Sequence, residues 1–375
     1  METHGQPGLE VRENVALAPL STLGVGGPAR FYAKAKTRDT VEAGVAWAGA
    51  RGVPLLVLGG GSNMVIADEG FPGLVLHVLP EGVETRPEGN EVRVHAAAGE
   101  KWDTLVHTAA LNGWAGIECL AGIPGCVGAT PIQNVGAYGQ DVSETIAAVI
   151  AFDTVRKTPV TFSNEECGFG YRSSRFKGQD RHRYVILAVE YRLTPGGAPS
   201  LRYPDVQRRL AERGVSAPTL RDVREAVIEV RRLKSMVLDP GDPNAKSVGS
   251  FFMNPIVSEK TSAAVRQRAL ERNAPGADAM PQWKVPGGGV KLSAAWLIER
   301  AGFKRGYERG RAAISEHHTL ALVNRGGASA REVIALAREI RDGVREAFGV
   351  SLVPEPVFVN VSLGEAEGGP GAKTD

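Results

Sequence analysis

In SVGSFFMNP (247–255) one small hydroxyl, Ser250, stands between Gly249 and two phenylalanines. Such a hydroxyl can give up a proton or close a local turn, and taken alone the turn is the ordinary reading. Three other segments are dense in reactive groups. GFGYRSSRFKG (168–178) offers Tyr171, Arg172, Arg175 and Lys177, and VRRLK (230–234) gathers three cations at a helix end. LVPEPVF (352–358) fixes Glu355 between two prolines, whose rings stiffen the backbone on either side. Singly, these also read as surface cations, a solvated helix end and an exposed acid in a turn.

Two glycine-rich stretches add candidate binding loops. GGGSN (59–63) follows an apolar run, VPLLVLG (53–59). Backbone N–H groups of such a loop can converge on an anion because no side chain blocks the approach, and Ser62 and Asn63 add donors. IPGCVGATPIQNVGAYGQ (123–140) has four glycines and almost no charge. It suits close packing of backbone against a flat ligand whose edges Thr130, Gln133 and Asn134 could read, and equally an irregular buried loop. GVGGPA (24–29) fits a dinucleotide pattern only formally, because Pro28 interrupts it and no helix is expected to follow. Lys246–Ser247 follows Ala245 rather than glycine and makes no P-loop.

The elements that must hold these groups read as a mixture. Thr37 or Asp39 caps a helix with Val41, Val45 and Ala48 on one face and Gly52 as its stop. The run 53–59 reads as a buried strand, with further strands at 74–78, 92–98, 149–155, 184–193 and 357–363. Helices are expected with Trp102, Leu105, Val106 and Ala109 inward, with Val223, Val227 and Val230 inward, around 292–302, and with Val333, Ala337, Ile340 and Val344 inward. Residues 273–289 read as a loop and TPGGAPS (194–200) as a break. The fold class is therefore α+β, without the regular alternation of one doubly wound sheet.

Bulk properties exclude several classes. The 375 residues carry 44 Lys plus Arg against 42 Asp plus Glu, a net charge of +2, which gives no basic nucleic-acid surface. No stretch reaches the roughly 18 apolar residues of a membrane span, and the polar start resembles no signal peptide. Cys119, Cys126 and Cys167 form no CxxC pair, which fits a reducing cytoplasm and three small buried side chains. Glu316, His317 and His318 make no metal trio if the two histidines sit on a strand and point to opposite faces, so no metal is expected.

Six motifs in order, LGGGSN, AGIPGCVGATPIQNVGAYG, FGYRSSRFK, GSFFMNP, VKLSAAWLIERAG and VPEPVF, resemble the UDP-N-acetylenolpyruvoylglucosamine reductases of peptidoglycan synthesis. The resemblance runs from STLGVGG (21–27) to LVPEPVFVN (352–360). It implies a vanillyl-alcohol-oxidase-like FAD-binding region of two subdomains, 1–75 and 76–218, and a substrate domain, 219–355. A last strand at 356–364 would pack on the first subdomain, and 365–375 would be a disordered tail. It also implies a cytoplasmic monomer in which NADPH reduces FAD, and FAD in turn reduces the enolpyruvyl ether of a nucleotide sugar.

The resemblance further assigns residues. Gly59, Gly60, Gly61, Ser62 and Asn63 would hold FAD, as would Gly122, Ile123, Pro124, Gly125, Gly128, Ala129, Thr130, Gln133, Asn134, Gly136, Ala137 and Tyr138. Ser250 matches the proton donor, Arg172 the cation at the substrate carboxylate, and Glu355 a second group there. The phenylalanines beside Ser250 would keep bulk water away. Tyr171, Tyr203, Lys234 and Asn254 match residues near the nucleotide sugar or pyridine nucleotide, and the tyrosine-bearing segment marks the longer subtype. His318 stands where many members carry an amide, which puts one substrate contact in doubt. Two other readings stay open at this point: an oxidase on the same flavin fold, and a nucleotide-sugar binding protein without catalysis.

Overall fold

A computed structural model describes residues 8–364. They form two compact units. The first comprises the chain up to Leu20, Pro28–Ser62 and Gly70–Asp239; the second comprises Ser21–Gly27, Asn63–Glu69 and the chain from Pro240 onward. The expected tail lies outside the described residues.

In the first unit, strands Val11–Ala16, Pro28–Ala35, Phe71–Val78 and Leu55–Leu58 lie side by side in that order. The first pair is antiparallel and the other two are parallel. Helix Arg38–Ala50 begins at the expected cap, where Thr37 and Thr40 satisfy each other's backbone N–H groups. It buries Val41, Gly44, Val45, Trp47 and Ala48. Leu55–Leu58 was expected to be wholly buried, but as an outer strand it buries only Leu56 and Leu58 and leaves Val57 exposed.

The largest sheet of this unit is antiparallel throughout, with neighbours Thr158–Ser163, Ile146–Asp153, Tyr184–Pro195, Glu91–Ala97 and Val83–Glu88. The strand expected at 149–155 starts earlier and stops at Asp153, because residues 154–157 turn back into the next strand. Helix Trp102–Leu111 buries the four residues expected, and its Trp102 indole N–H donates to the Leu120 carbonyl at 3.0 Å. Helix Leu220–Leu233, starting at the expected boundary near 219, packs within the first unit with Val223, Val227 and Val230 buried.

In the second unit, antiparallel strands Ser247–Ser250, Ala321–Asn324, Ala312–Ile314 and Glu308–Arg309 form one sheet. Helix Ala330–Phe348 buries Val333, Ala337, Ile340 and Val344 as expected. Residues 273–289, read as a loop, include strand Gln282–Lys284, which pairs with Val290–Leu292 across a glycine turn. The last strand is shorter than expected, Val357–Val359, and runs parallel to Met64–Ile66.

Candidate active site

The two glycine loops meet inside the first unit. A Cβ on Gly60 would lie 2.7 Å from the Gly125 Cα, and one on Gly125 would lie 2.7 Å from the Ser62 Oγ. Gly125 has φ +121, a conformation that favours glycine. A Cβ on Gly59 would meet nothing within 4 Å. The pair is thus a surface of bare backbone with open space beside it, which fits a large cofactor carrying a diphosphate. Ile123, Pro124 and Gly125 form the more accessible tip of the second loop, while Gly61, Gly122 and Gly128 are buried. The Gly122 N–H donates to Asp103, and the Gly128 N–H to the Ala98 carbonyl. Asn63 falls in the second unit, where its carbonyl accepts from the Val357 N–H at 2.9 Å.

The polar side chains of the second loop are largely engaged with the protein. Thr130 Oγ1 donates to the Val127 carbonyl and lies 2.7 Å from the Tyr191 hydroxyl, wholly inside the core. Asn134 takes a left-handed backbone, φ 44, at the end of the short helix Thr130–Gln133. Its amide donates to the Gly170 carbonyl, and its carbonyl accepts from the Ser143 N–H. Gln133 is buried beside it, and Ala129 and Ala137 are half-buried. In this structure Thr130 and Asn134 therefore shape the loop with the same groups that were expected to read a ligand's edges.

Arg172 is brought to the same loop. Gly170 and Ser173 hydrogen-bond across a tight turn, and Arg172 sits in it at φ 51, a position glycine or asparagine usually takes. Its guanidinium donates to the Gly136 carbonyl, to Asp141 at 3.3 Å and to the Asn134 carbonyl at 3.4 Å. A Cβ on Gly136 would collide with Asp141, so only glycine lets the arginine lie there. Tyr171, half-exposed, lies under the Arg172 head, 5.5 Å from ring centroid to guanidinium carbon.

Three further candidates, far apart in the sequence, cluster in space. Tyr138 and Tyr203 meet edge to face with centroids 5.1 Å apart, and the Lys234 ammonium lies 5.9 Å from the Tyr138 ring. Lys234 is paired with Asp205 at 2.9 Å. Burial is the strongest single influence and pulls the lysine's pKa down, but the hydrogen bond and charge of Asp205, together with Tyr138 and Tyr203, outweigh it and hold the ammonium above its ordinary value. Burial pushes the Tyr138 phenol up. Asp205 and the buried Arg231 belong to this cluster and were not singled out from the sequence. The signal for Arg231 was present in VRRLK, where a burial period of 3.6 turns it inward with Val227 and Val230.

In the second unit, Ser250 ends its strand opposite Ala321, and the Glu355 N–H donates to the Phe251 carbonyl at 2.9 Å. Phe252 and Pro354 pair as an isolated bridge, and the Met253 N–H donates to Val353. Ser250 and Glu355, 105 positions apart, therefore sit on adjoining backbones. The phenylalanines are core residues, 0% and 1% exposed, with rings 5.2 Å apart. They anchor the Ser250 strand end in the core. The Asn254 side-chain carbonyl accepts from the Ala294 N–H at 2.9 Å, which ties it to the first turn of helix Ala294–Arg300.

His318 and His317 are not on a strand, as expected, but in the bend between Ala312–Ile314 and Ala321–Asn324. Strand pairing there needs a reversal, and the His318 carbonyl closes it by accepting from the Ala321 N–H. Among the described residues no three His, Cys, Asp or Glu side chains are arranged to hold a metal ion. All three cysteines are buried, and burial pushes the Cys119 and Cys167 thiols up to about 12. Cys126, beside Gly60, is raised for the same reason.

Comparison with known proteins agrees with this geometry. A model of an FAD binding domain matches residues 29–156, which contain both glycine loops. A model of the UDP-N-acetylenolpyruvoylglucosamine reductase C-terminal domain matches residues 242–359, which contain Ser250 and Glu355. A UDP-N-acetylenolpyruvoylglucosamine reductase from Thermobifida fusca (strain YX) is 48% identical over 352 residues, 93% of this chain and 98% of that one. One from Streptomyces avermitilis is 49% identical over 350 residues, 92% and 94% of the two chains. The crystal structure of the reductase from Thermus caldophilus aligns with TM-score 0.60 at 26% identity, covering 94% of this chain and 98% of that one. With both halves matched in order by one kind of protein over nearly its full length, the chain belongs to the UDP-N-acetylenolpyruvoylglucosamine reductase family.

Proposed function

We propose that Ser250, Arg172 and Glu355 carry the chemistry of this flavoenzyme. The chain reduces the enolpyruvyl ether of UDP-N-acetylglucosamine-enolpyruvate to the lactyl ether of UDP-N-acetylmuramate, a step of peptidoglycan synthesis. Bound FAD supplies a hydride taken from NADPH. The chain's own residues supply the rest. Hydride addition to the terminal vinyl carbon leaves negative charge on its neighbour, spread into the carboxylate. Ser250 delivers the proton that this carbon needs. Arg172, permanently charged and fork-shaped, suits the carboxylate, and Glu355 stands on the backbone next to Ser250 to assist. Lys234, Tyr203, Tyr171, Asn254 and His318 are read as groups that hold the nucleotide sugar or the pyridine nucleotide, and residues 59–63 and 122–138 as the FAD loops.

The observation that carries this reading is the Glu355 N–H on the Phe251 carbonyl, which sets the backbones of a carboxyl-bearing residue and of the serine side by side. The expected division into FAD subdomains 1–75 and 76–218 and substrate domain 219–355 remains part of the proposal, as do a monomeric state and a cytoplasmic location. Three buried free cysteines support a reducing compartment. No helix among the described residues is long and apolar enough to cross a membrane.

Stopped-flow absorbance separates the two halves of the reaction. Wild-type protein should bleach with NADPH and recover its yellow colour with the enolpyruvyl substrate. Ser250→Ala should bleach at the wild-type rate, while recovery slows by roughly 10²–10⁴-fold, the usual worth of a positioned acid. Recovery at the wild-type rate would remove Ser250 from the mechanism.

A further inference from the structure

The strand Phe71–Val78 is apolar except for one residue near its end, His77. In the parallel register His77 stands opposite Leu58 on one side and Lys34 on the other. Leu58 is the residue immediately before Gly59, so the imidazole lies where strand gives way to the glycine loop. Tyr32, 3% exposed, reaches across the sheet, and its hydroxyl lies 2.8 Å from His77 Nδ1. The two rings cross at 63° with centroids 6.0 Å apart. The Gly59 backbone also lies within hydrogen-bonding reach of the imidazole.

We propose that His77 is a positioning residue for the cofactor: one ring nitrogen is held by the Tyr32 hydroxyl while the other donates to the Gly59 carbonyl, fixing the backbone where the loop 59–63 begins. This rests on the reading of residues 59–63 as an FAD loop. Burial, with Lys34 beside the ring, holds the His77 pKa below its ordinary value and keeps the imidazole neutral. A neutral imidazole has one N–H and one lone pair. With the N–H given to the carbonyl, the lone pair at Nδ1 accepts from the tyrosine, so both partners are satisfied by a single tautomer. The loop needs such a tether because three successive glycines have no side chains to anchor them. Each glycine would otherwise lose its large conformational freedom only when the ligand binds, at a cost in affinity. Tyr32 and His77 take up part of that ordering before the ligand arrives.

Two near-isosteric replacements divide the relay. In His77→Gln the amide nitrogen falls near Nε2 and can still donate to Gly59. In His77→Asn the polar atoms fall near Nδ1 and can only meet Tyr32. FAD is removed from each full-length protein and titrated back by quenching of its fluorescence. The Asn variant should bind FAD roughly five- to tenfold more weakly, the loss of one hydrogen bond, and the Gln variant within about twofold of wild type. Tyr32→Phe, which removes a single oxygen, should weaken binding by about two- to threefold while KM for the nucleotide sugar stays unchanged. Equal FAD affinity in the Asn and Gln variants, whether high or low, overturns the relay. Gly60→Ala, whose Cβ would press on Gly125, reports separately on the loop: if it binds FAD normally, the loop assignment itself is wrong. If it loses FAD while both His77 variants bind like wild type, only the relay falls.

Discussion

Asp153 shows how one residue can combine local and distant work. Its Oδ1 accepts from the N–H groups of Val155 and Arg156, which close the turn between two strands. Its Oδ2 takes Arg183 at 2.8 Å, and its side chain is 3% exposed. The Arg183 hydrogen bond, followed by the turn's N–H groups, outweighs burial and lowers the carboxyl to about 2. A depressed folded-state pKa means that the stabilisation is complete above the unfolded value, about 4, and disappears as pH falls through the folded one. Asp153→Asn keeps the turn acceptor but loses the charge, so it should cost about 2 kcal/mol at neutral pH. Thermal unfolding of both proteins should give midpoints separated by a constant gap from pH 7 down to about 4, with the gap closing toward pH 2. A gap unchanged at the acid end would mean that the Arg183 contact contributes nothing. The role of Asp153 was not visible in VIAFDTV, because Arg183 lies thirty positions away. Ser250, Arg172 and Glu355 drew attention by their neighbours, a glycine, a cation cluster and two prolines, but their proposed roles came only from the resemblance of six motifs in order.

At the scale of elements, the helix Arg38–Ala50 separates propensity from packing. Gly44 sits in its middle, and glycine there costs about 1 kcal/mol against alanine when a helix is exposed. Here a Cβ at 44 would lie 2.5 Å from the Leu76 Cδ1, and Leu76 is 0% exposed. Leu76 lies in a closed core and has no room to give way. Gly44→Ala should therefore destabilise the protein by about 1–3 kcal/mol despite the better helix former. Denaturant titration decides it: a midpoint raised above wild type would show that Leu76 can move. Helices of this kind were readable because apolar side chains recur on one face, as in Ala330–Phe348. Helix Glu259–Glu271 was not read, since it buries only Ser262, Val265 and Ala269, too sparse a stripe to signal. Strand Val11–Ala16 was missed for a similar reason, with Val11 alone buried. The glycine loops announced themselves by composition, but their contact through Gly60 and Gly125 joins residues 65 positions apart and has no local signature.

The same limit is widest for the whole molecule. Apart from the last strand, the expected domains were continuous stretches, whereas the compact units interleave: Ser21–Gly27 and Asn63–Glu69 belong with the chain beyond Pro240. These short segments do structural work there. Leu23, Val25 and Val65 are 0%, 2% and 0% exposed within the second core. The Asn324 amide donates to the Leu23 and Gly24 carbonyls, and Met64–Ile66 pairs with Val357–Val359. Asp68 accepts from the N–H groups of Ala330 and Arg331, where the first turn of a long helix leaves donors without helical partners. A fragment of residues 240–364 would keep every helix of the second unit and lose all of these contacts. Its secondary structure should partly form, but its core would open wherever the three apolar side chains are missing. The fragment should melt without a sharp transition and bind a hydrophobic dye, as an expanded compact state does. In the intact chain, Leu23→Ala should cost about 2–5 kcal/mol. Cooperative unfolding of the isolated fragment, or a Leu23→Ala protein as stable as wild type, would mean that the second unit folds from its contiguous sequence alone. Either result would make the early segments attachments to a finished core rather than parts of it.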